Sequence, residues 1–304
     1  MSTAAATAVI RDRVKVPGSR ERAGDRLFLL VIAGAAGVIL LAAFALAWQL
    51  TRESASTWKT FGASFLWTSV WDPVNDVFGA LPFLYGTAVS SILALLIAVP
   101  LGVGAAVFLT ELAPKKVADA LMFAIELLAA VPSVILGLMG IFILVPAMRS
   151  AGAPYGVGML TAGLILAFMI LPYITTITRE VLLTVPRPLK EAMYALGATR
   201  WEVVSGVSLP FARSGIIGAV FLSLGRALGE TMAVTMVIGN SPKISANILE
   251  PGYSMAAVIA NELAEASSDA HLSALVAIGL VLMGVTVVVN GAARLMIYRL
   301  GKRP

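Results

Sequence analysis

Two ionisable side chains, Arg226 and Glu230, stand alone in a long apolar stretch: from Ser214 to Pro242 no other residue carries a charge. An arginine at mid-bilayer costs about 2.5–3.5 kcal/mol even on insertion-based scales, so it is expected to face a bundle interior or an aqueous path. Glu230 lies four residues on, which on a continuous helix puts it on the same face and within reach of Arg226. Two uses suit such a pair. It can be an internal ion pair that pins two helices together. Alternatively, the forked donors of the guanidinium can meet the oxygens of phosphate or sulfate, with Glu230 balancing the charge when no anion is present. The second use favours an oxyanion over a sugar or an amino acid. Gly225 and Gly229 form a small-xxx-small pair at which another helix can come close. Thr231 and Thr235 share a face and could line a path, although hydroxyls within membrane helices commonly bond back to their own backbone.

Other chemistry is scarce. The chain has no cysteine, which excludes thiol catalysis, disulfides and iron–sulfur ligation, and its one histidine, His271, is too few for a histidine-based metal cluster. No Walker-type phosphate loop, Ser/His/Asp arrangement or catalytic carboxylate pair is present, so the chain is expected to be no enzyme by itself and to hold no metal or cofactor of its own. Pro132-Ser133 either kinks a packed helix or exposes a half-helix N-terminus, where Ser133 would join a translocation path. Glu126, Asp269 and His271 are expected at the membrane interface.

The elements that must position these residues follow from composition and charge spacing. In 304 residues, 59% are hydrophobic and only 13% charged, with mean hydropathy +0.92. A water-soluble core cannot absorb that much apolar surface. Five stretches of at least 22 residues carry no charge, against the roughly 20 residues that cross a hydrocarbon core. The fold class is therefore all-α and polytopic, with six transmembrane helices. Residues 1–26 form a polar, basic N-terminal tail and residues 27–50 the first span. Residues 51–80, with Trp58, Trp67 and Trp71, read as an external loop carrying an interfacial belt. Residues 81–300 hold five more spans, near 83–110, 118–148, 157–178, 215–240 and 272–297. The third is too long for one straight crossing, and Pro132-Ser133 offers a break. Residues 241–270 read as a polar external loop.

Six spans put both termini on one side. That side collects 17 of the 22 Lys and Arg residues, the other side four, with Arg226 inside span five. The positive-inside rule places both termini and the long charged segment 179–211 in the cytoplasm of a prokaryotic cell, so the basic pI reports topology and not nucleic acid.

Within that segment, Pro186 to Glu202 reads as two short helices meeting at a glycine. Leu189, Ala192, Met193 and Leu196 make an apolar stripe, Gly197 stops the helix, and Thr199 with Glu202 forms a capping box for a second helix ending near Leu209-Pro210. By spacing alone this is either a solvated turn or an interfacial helix lying on lipid. However, Glu191-Ala192-Met193, Gly197 and Val207-Ser208-Leu209-Pro210 resemble the "EAA" loop of ATP-binding-cassette importer permeases, with Met193 and Val207 in place of the usual alanine and isoleucine. The resemblance implies a MetI-like permease core whose cytoplasmic coupling helix, around Glu191, Ala192, Gly197, Leu209 and Pro210, docks on an ATPase.

The run Gly229-Glu230-Thr231-Met232-Ala233-Val234-Thr235-Met236-Val237-Ile238-Gly239-Asn240 is similar to that of the PstC-type subunits of phosphate importers, as are Val131 to Gly137 and Thr178 to Val181. The likeness covers roughly residues 80–300. It implies a permease for inorganic phosphate that works with a PstA-type second permease, two PstB-type ATP-binding subunits that bind ATP and Mg, and an extracytoplasmic PstS-type phosphate-binding protein, all in contact with membrane lipid. It also implicates the charged residues of span five, Arg226 and Glu230, in transport; with Thr231 and Ser133, singled out above by their positions, they make up the candidate translocation path. The alternatives are a permease for sulfate or molybdate, or a secondary transporter or channel using Arg226 and Glu230.

Overall fold

Inside a bilayer every backbone N–H must find its partner within its own segment, and the α-helix does this without help. A computed structural model describes the backbone of residues 19–301 and the side chains of residues 28–299. The described residues are helical apart from turns and one isolated antiparallel bridge between Asp72 and Val77.

The first helix, α1 (Ser19–Glu53), is a unit by itself up to Arg52. Phe28, Leu40 and Phe44 are exposed around its circumference, as lipid-facing side chains are. It begins within the polar tail and not at residue 27, because Arg and Glu are good helix formers and extending a nucleated helix is inexpensive. The tail residues 1–18 and the basic residues Lys302 and Arg303 lie outside the described residues.

The second unit runs from Glu53. Here α2 (Ala55–Phe61) and a 3-10 turn (Gly62–Leu66) precede α3 (Leu81–Val107), which continues as a π turn (Phe108–Leu112). Then come α4 (Lys115–Ala129), α5 (Ser133–Met139), a π turn (Gly140–Leu144) and α6 (Val145–Ser150). After α7 (Met159–Leu183) the chain forms α8 (Arg187–Ala195) and α9 (Arg200–Val203). A π turn (Val204–Ser208) leads into α10 (Leu209–Leu228), followed by α11 (Met232–Val237), α12 (Met255–Glu262) and α13 (Asp269–Gly301). Six stretches among the described residues are long and apolar enough to cross a bilayer: Phe28–Glu53, Leu81–Leu112, Ser133–Ser150, Met159–Leu183, Arg200–Leu228 and Asp269–Arg299.

The α3–α7 pair is the centre of the second unit, and α10 packs on α7 and α13. Ala94, Ala98, Leu166, Ile170 and Ile174 form its buried core with Ala233 and Val237 of α11. A second core joins Phe65, Phe78, Phe83 and Tyr253 to Leu275 and Ile278.

Several expectations need correction. The third span is Ser133–Ser150. Residues 115–129 are a separate amphipathic helix, because the segment breaks ahead of Ser133, where Pro132 adopts an extended backbone (φ −57°, ψ 135°) and caps α5. Residues 51–80 are no simple loop: Trp58 packs edge-on against Phe65 within the segment and Trp71 against Phe83 of α3, which ties the segment into the second core. Nor is 241–270 merely polar: α12, capped by the Ser254 hydroxyl accepting from the Ala257 N–H, buries Met255, Ala256, Ala257 and Val258. Leu209-Pro210 does not end a helix. The π turn realigns the backbone ahead of Pro210, so the donor missing at proline interrupts nothing and the helix runs on to Leu228.

Candidate functional site

Span five does not run through. Gly229, a poor helix former, caps α10, and α11 starts two residues after Glu230. The interruption overturns the expected ion pair: Arg226 and Glu230 do not share a helical face. No carboxylate lies within ion-pair distance of Arg226 among the described residues. The Glu230 carboxylate instead accepts the Ala233 N–H at 3.2 Å and serves as a cap for α11. Thr231 donates to Gly229 O, and Thr235 donates to Thr231 O at 2.7 Å, so both hydroxyls bond back to their own segment.

The upper half, α11, is held by its fit against α5. A Cβ on Gly137 would stand 3.1 Å from the Ala233 Cα, and one on Gly140 would meet the Val237 side chain at 2.6 Å. The contact order 137 to 233 and 140 to 237 makes the two half-helices parallel. Their starts, at Ser133 and Met232, each lie within about 6 Å of axial rise from the contact. The close approach expected at Gly225 and Gly229 is therefore found at Gly137 and Gly140. At Gly225 an added Cβ would meet nothing in this chain nearer than 3.8 Å.

Arg226, in the last turn of α10, faces elsewhere. Its guanidinium carbon lies 4.4 Å from the ring centroid of Tyr173 on α7, a cation–π seat. Both residues line a cleft of about 380 Å³ with Leu222, Ser223, Gly225, Thr286 and Asn290. The Ser223 side chain is 1% exposed and its hydroxyl has no hydrogen-bond partner, whereas the Thr286 hydroxyl is engaged by Leu282 O. The cleft thus combines one cation, one unsatisfied hydroxyl and a carboxamide, donors suited to an oxyanion. Ser133, Glu230 and Thr231 do not line it. Sequence spacing missed Tyr173, Ser223 and Asn290, which come from three spans; the signal available was an uncharged polar residue in an apolar run.

From Pro186 to Glu202 the helix–glycine–helix motif folds as its spacing predicts. Pro186 stands at the start of α8, and Gly197 takes φ +85°, the left-handed region that favours glycine. The Gly197 N–H donates to Tyr194 O and the Ala198 N–H to Met193 O, closing the helix end. Thr199 and Glu202 form both halves of a capping box. The Thr199 backbone N–H and hydroxyl both donate to the Glu202 carboxylate, at 2.7 and 2.8 Å. None of α8 is buried: Glu191 and Ala192 are exposed, and Leu196 is 85% and Trp201 65% exposed. Leu209 is half-buried and Pro210 exposed.

Another polar site was not foreseen. His271, expected at the interface, is 4% exposed, stacks on Phe78, and has Nε2 3.1 Å from Glu262 Oε2, which also accepts the Trp71 Nε1–H at 2.9 Å. It is buried because α12 and the 67–78 segment close over the start of α13. Glu126 is exposed on α4.

Comparison with known proteins sets these features in context. Residues 98–302 match the family model described as binding-protein-dependent transport system inner membrane component. A phosphate transport system permease protein PstC of Mesorhizobium japonicum is 45% identical over 299 residues, covering 92% of this chain and 91% of the relative. The corresponding protein of Xylella fastidiosa is 42% identical over 318 residues (97% and 98%). The PstC 2 protein of Mycobacterium tuberculosis is 38% identical over 296 residues (90% and 91%). Among solved structures, a bacterial alginate ABC transporter chain superimposes with TM-score 0.65 at 15% identity, over 91% of this chain and 96% of that one. A chain of the MetNI methionine ABC transporter does so with TM-score 0.55 at 20% identity (73% and 94%). These two likenesses concern the fold alone.

Proposed function

The chain belongs to the family of binding-protein-dependent transport system inner membrane components, multi-pass membrane proteins that are not themselves enzymes, and from that premise we propose that it carries inorganic phosphate across the membrane as one half of an ATP-driven importer. The other half of the path is a PstA-type permease. Two PstB-type subunits bind ATP and Mg and hydrolyse the nucleotide, and a PstS-type protein delivers phosphate from outside. Both termini and residues 179–211 face the cytoplasm, in line with the distribution of basic residues. The exposed apolar side chains Leu189, Leu196 and Trp201, with Glu191, Ala192 and Gly197, then form the surface that docks on the ATPase, while Leu209 and Pro210 carry its motion into α10.

The observation that carries the phosphate reading is the state of Arg226: a cation with no carboxylate partner among the described residues, seated on Tyr173 in a cleft that also offers the Ser223 hydroxyl and Asn290. A guanidinium that only pinned helices would be paired. Phosphate supplies the missing negative charge during passage, and the forked donors suit its oxygens. Glu230 acts at one remove by setting the start of α11, and Ser133 and Thr231 flank the path at the two helix breaks.

Uptake of radiolabelled phosphate by the reconstituted complex tests the substrate. It is expected to persist in excess sulfate or molybdate; strong competition by either overturns the assignment. Topology is tested by introducing Ala195→Cys and Thr60→Cys into this cysteine-free chain. An impermeant reagent is expected to label position 60 but not 195 in intact cells, and the reverse pattern contradicts the orientation.

A further inference from the structure

The helix read above as the docking element is covalently joined to spans four and five only, through residues 184–186 and 196–199. Span two has no covalent link to it. None of the residues of α8 is buried, so apolar packing fastens it only slightly to the rest of the chain. One polar contact bridges the gap. Lys190 Nζ lies 2.6 Å from Glu111 Oε1, and the same oxygen accepts the Ser208 hydroxyl at 2.9 Å. The Glu111 side chain is 9% exposed, that of Lys190 18%, and Ser208 is fully buried.

Lys190 and Ser208 lie 79 and 97 positions from Glu111 in sequence, and the three residues stand on three different segments. Glu111 is in the π turn that ends span two, Ser208 in the π turn that leads into α10, and Lys190 in α8, one residue before Glu191. Beneath them Ala106, Val107, Leu182, Val204 and Ala212 form one apolar cluster across spans two, four and five. A shielded charge pair resists separation, because either charge left alone there is poorly solvated. A pull on α8 is therefore transmitted through the pair to span two as well as along the chain.

We propose that Glu111 is a positioning residue for transport: through Lys190 and Ser208 it fastens the docking helix to spans two and five, so that nucleotide-driven displacement of α8 moves both spans together. This rests on the reading of α8 as the ATPase-docking element. The test compares Glu111→Gln, Lys190→Met and the exchanged pair Glu111→Lys with Lys190→Glu in the reconstituted complex, measuring assembly, ATP hydrolysis and phosphate taken up per ATP. Each single change is expected to leave the complex assembled and hydrolysing while uptake per ATP falls about tenfold, a typical size for coupling between sites. The exchanged pair is expected to recover most of it. A purely structural role would lower assembly and hydrolysis together and leave the ratio unchanged. That result, a native ratio in both single variants, or no recovery in the exchanged pair would overturn the inference. Gly197→Val separates the two readings. If it transports normally, the docking assignment itself fails; if it blocks uptake while Glu111→Gln keeps a native ratio, only the role of Glu111 fails.

Discussion

Arg226 and Lys190 are each set against polar groups of other helices, but in opposite ways. Lys190 meets a carboxylate at 2.6 Å, that carboxylate is also bonded to Ser208, and the group joins three segments at one end of the bundle. Arg226 meets a ring face and a cleft, with an unsatisfied hydroxyl nearby and no carboxylate in ion-pair reach among the described residues. A paired charge holds parts of the protein to one another. An unpaired charge beside unused donors is arranged for something that comes and goes. The same contrast appears in the helices: α11 is fixed by close contacts at Gly137 of α5 and Gly140 of the following π turn, whereas the last turn of α10 leaves Arg226 exposed on the isolated chain.

Exchanging the two cation types sharpens this contrast most. Arg226→Lys replaces a fork by a point charge, and phosphate uptake is expected to fall about 10- to 100-fold, the worth of a charge-assisted hydrogen bond. Lys190→Arg can still pair with Glu111 and is expected to cost far less; equal losses would erase the distinction. Next in size is the aromatic seat. Tyr173→Leu is expected to reduce uptake about three- to thirtyfold by removing the cation–π contact, while Tyr173→Phe retains most of it. If the two substitutions are equivalent, the ring does not hold Arg226. The smallest effects separate the two serines. Ser208→Ala removes a hydrogen bond made within the chain and is expected to lower stability by about 1 kcal/mol in thermal unfolding of the detergent-solubilised complex. Ser223→Ala removes a hydroxyl that bonds nothing in the chain, so the melting temperature should not change while the apparent KM for phosphate rises about threefold. A stability loss at Ser223 instead would mark it as packing.

What the sequence revealed and what it hid divide along the same line. Features set by neighbours within one turn were legible: the Thr199–Glu202 capping box, the glycine stop at Gly197 and the break at Pro132-Ser133 stand where their spacing puts them. Arg226 was recognisable because an isolated charge in an apolar run needs a reason. Its partner was misassigned because a 3.6-residue period was carried across Gly229, where the helix stops. Long-range contacts left no local trace. Nothing in the sequence near Glu111 points to Lys190, and the short apolar run from Met255 to Ile259 is too brief to signal that it is buried. His271 was placed at the interface because it opens span six, and its contacts with Glu262, from another helix, and with Phe78 left no trace in the sequence.

The central claim is that Arg226 serves the passing anion and not Glu230. It is tested most directly by radiolabelled phosphate uptake in proteoliposomes containing the complex with Arg226→Leu and Glu230→Leu combined, alongside an assembly measurement on the same preparation. Removing both members of a structural pair is tolerated, because neither charge is orphaned; removing a substrate contact is not, whatever becomes of the carboxylate. The account predicts a complex that assembles normally and fails to transport. Near-native uptake by the double variant would contradict it and leave Arg226 as a helix-packing device.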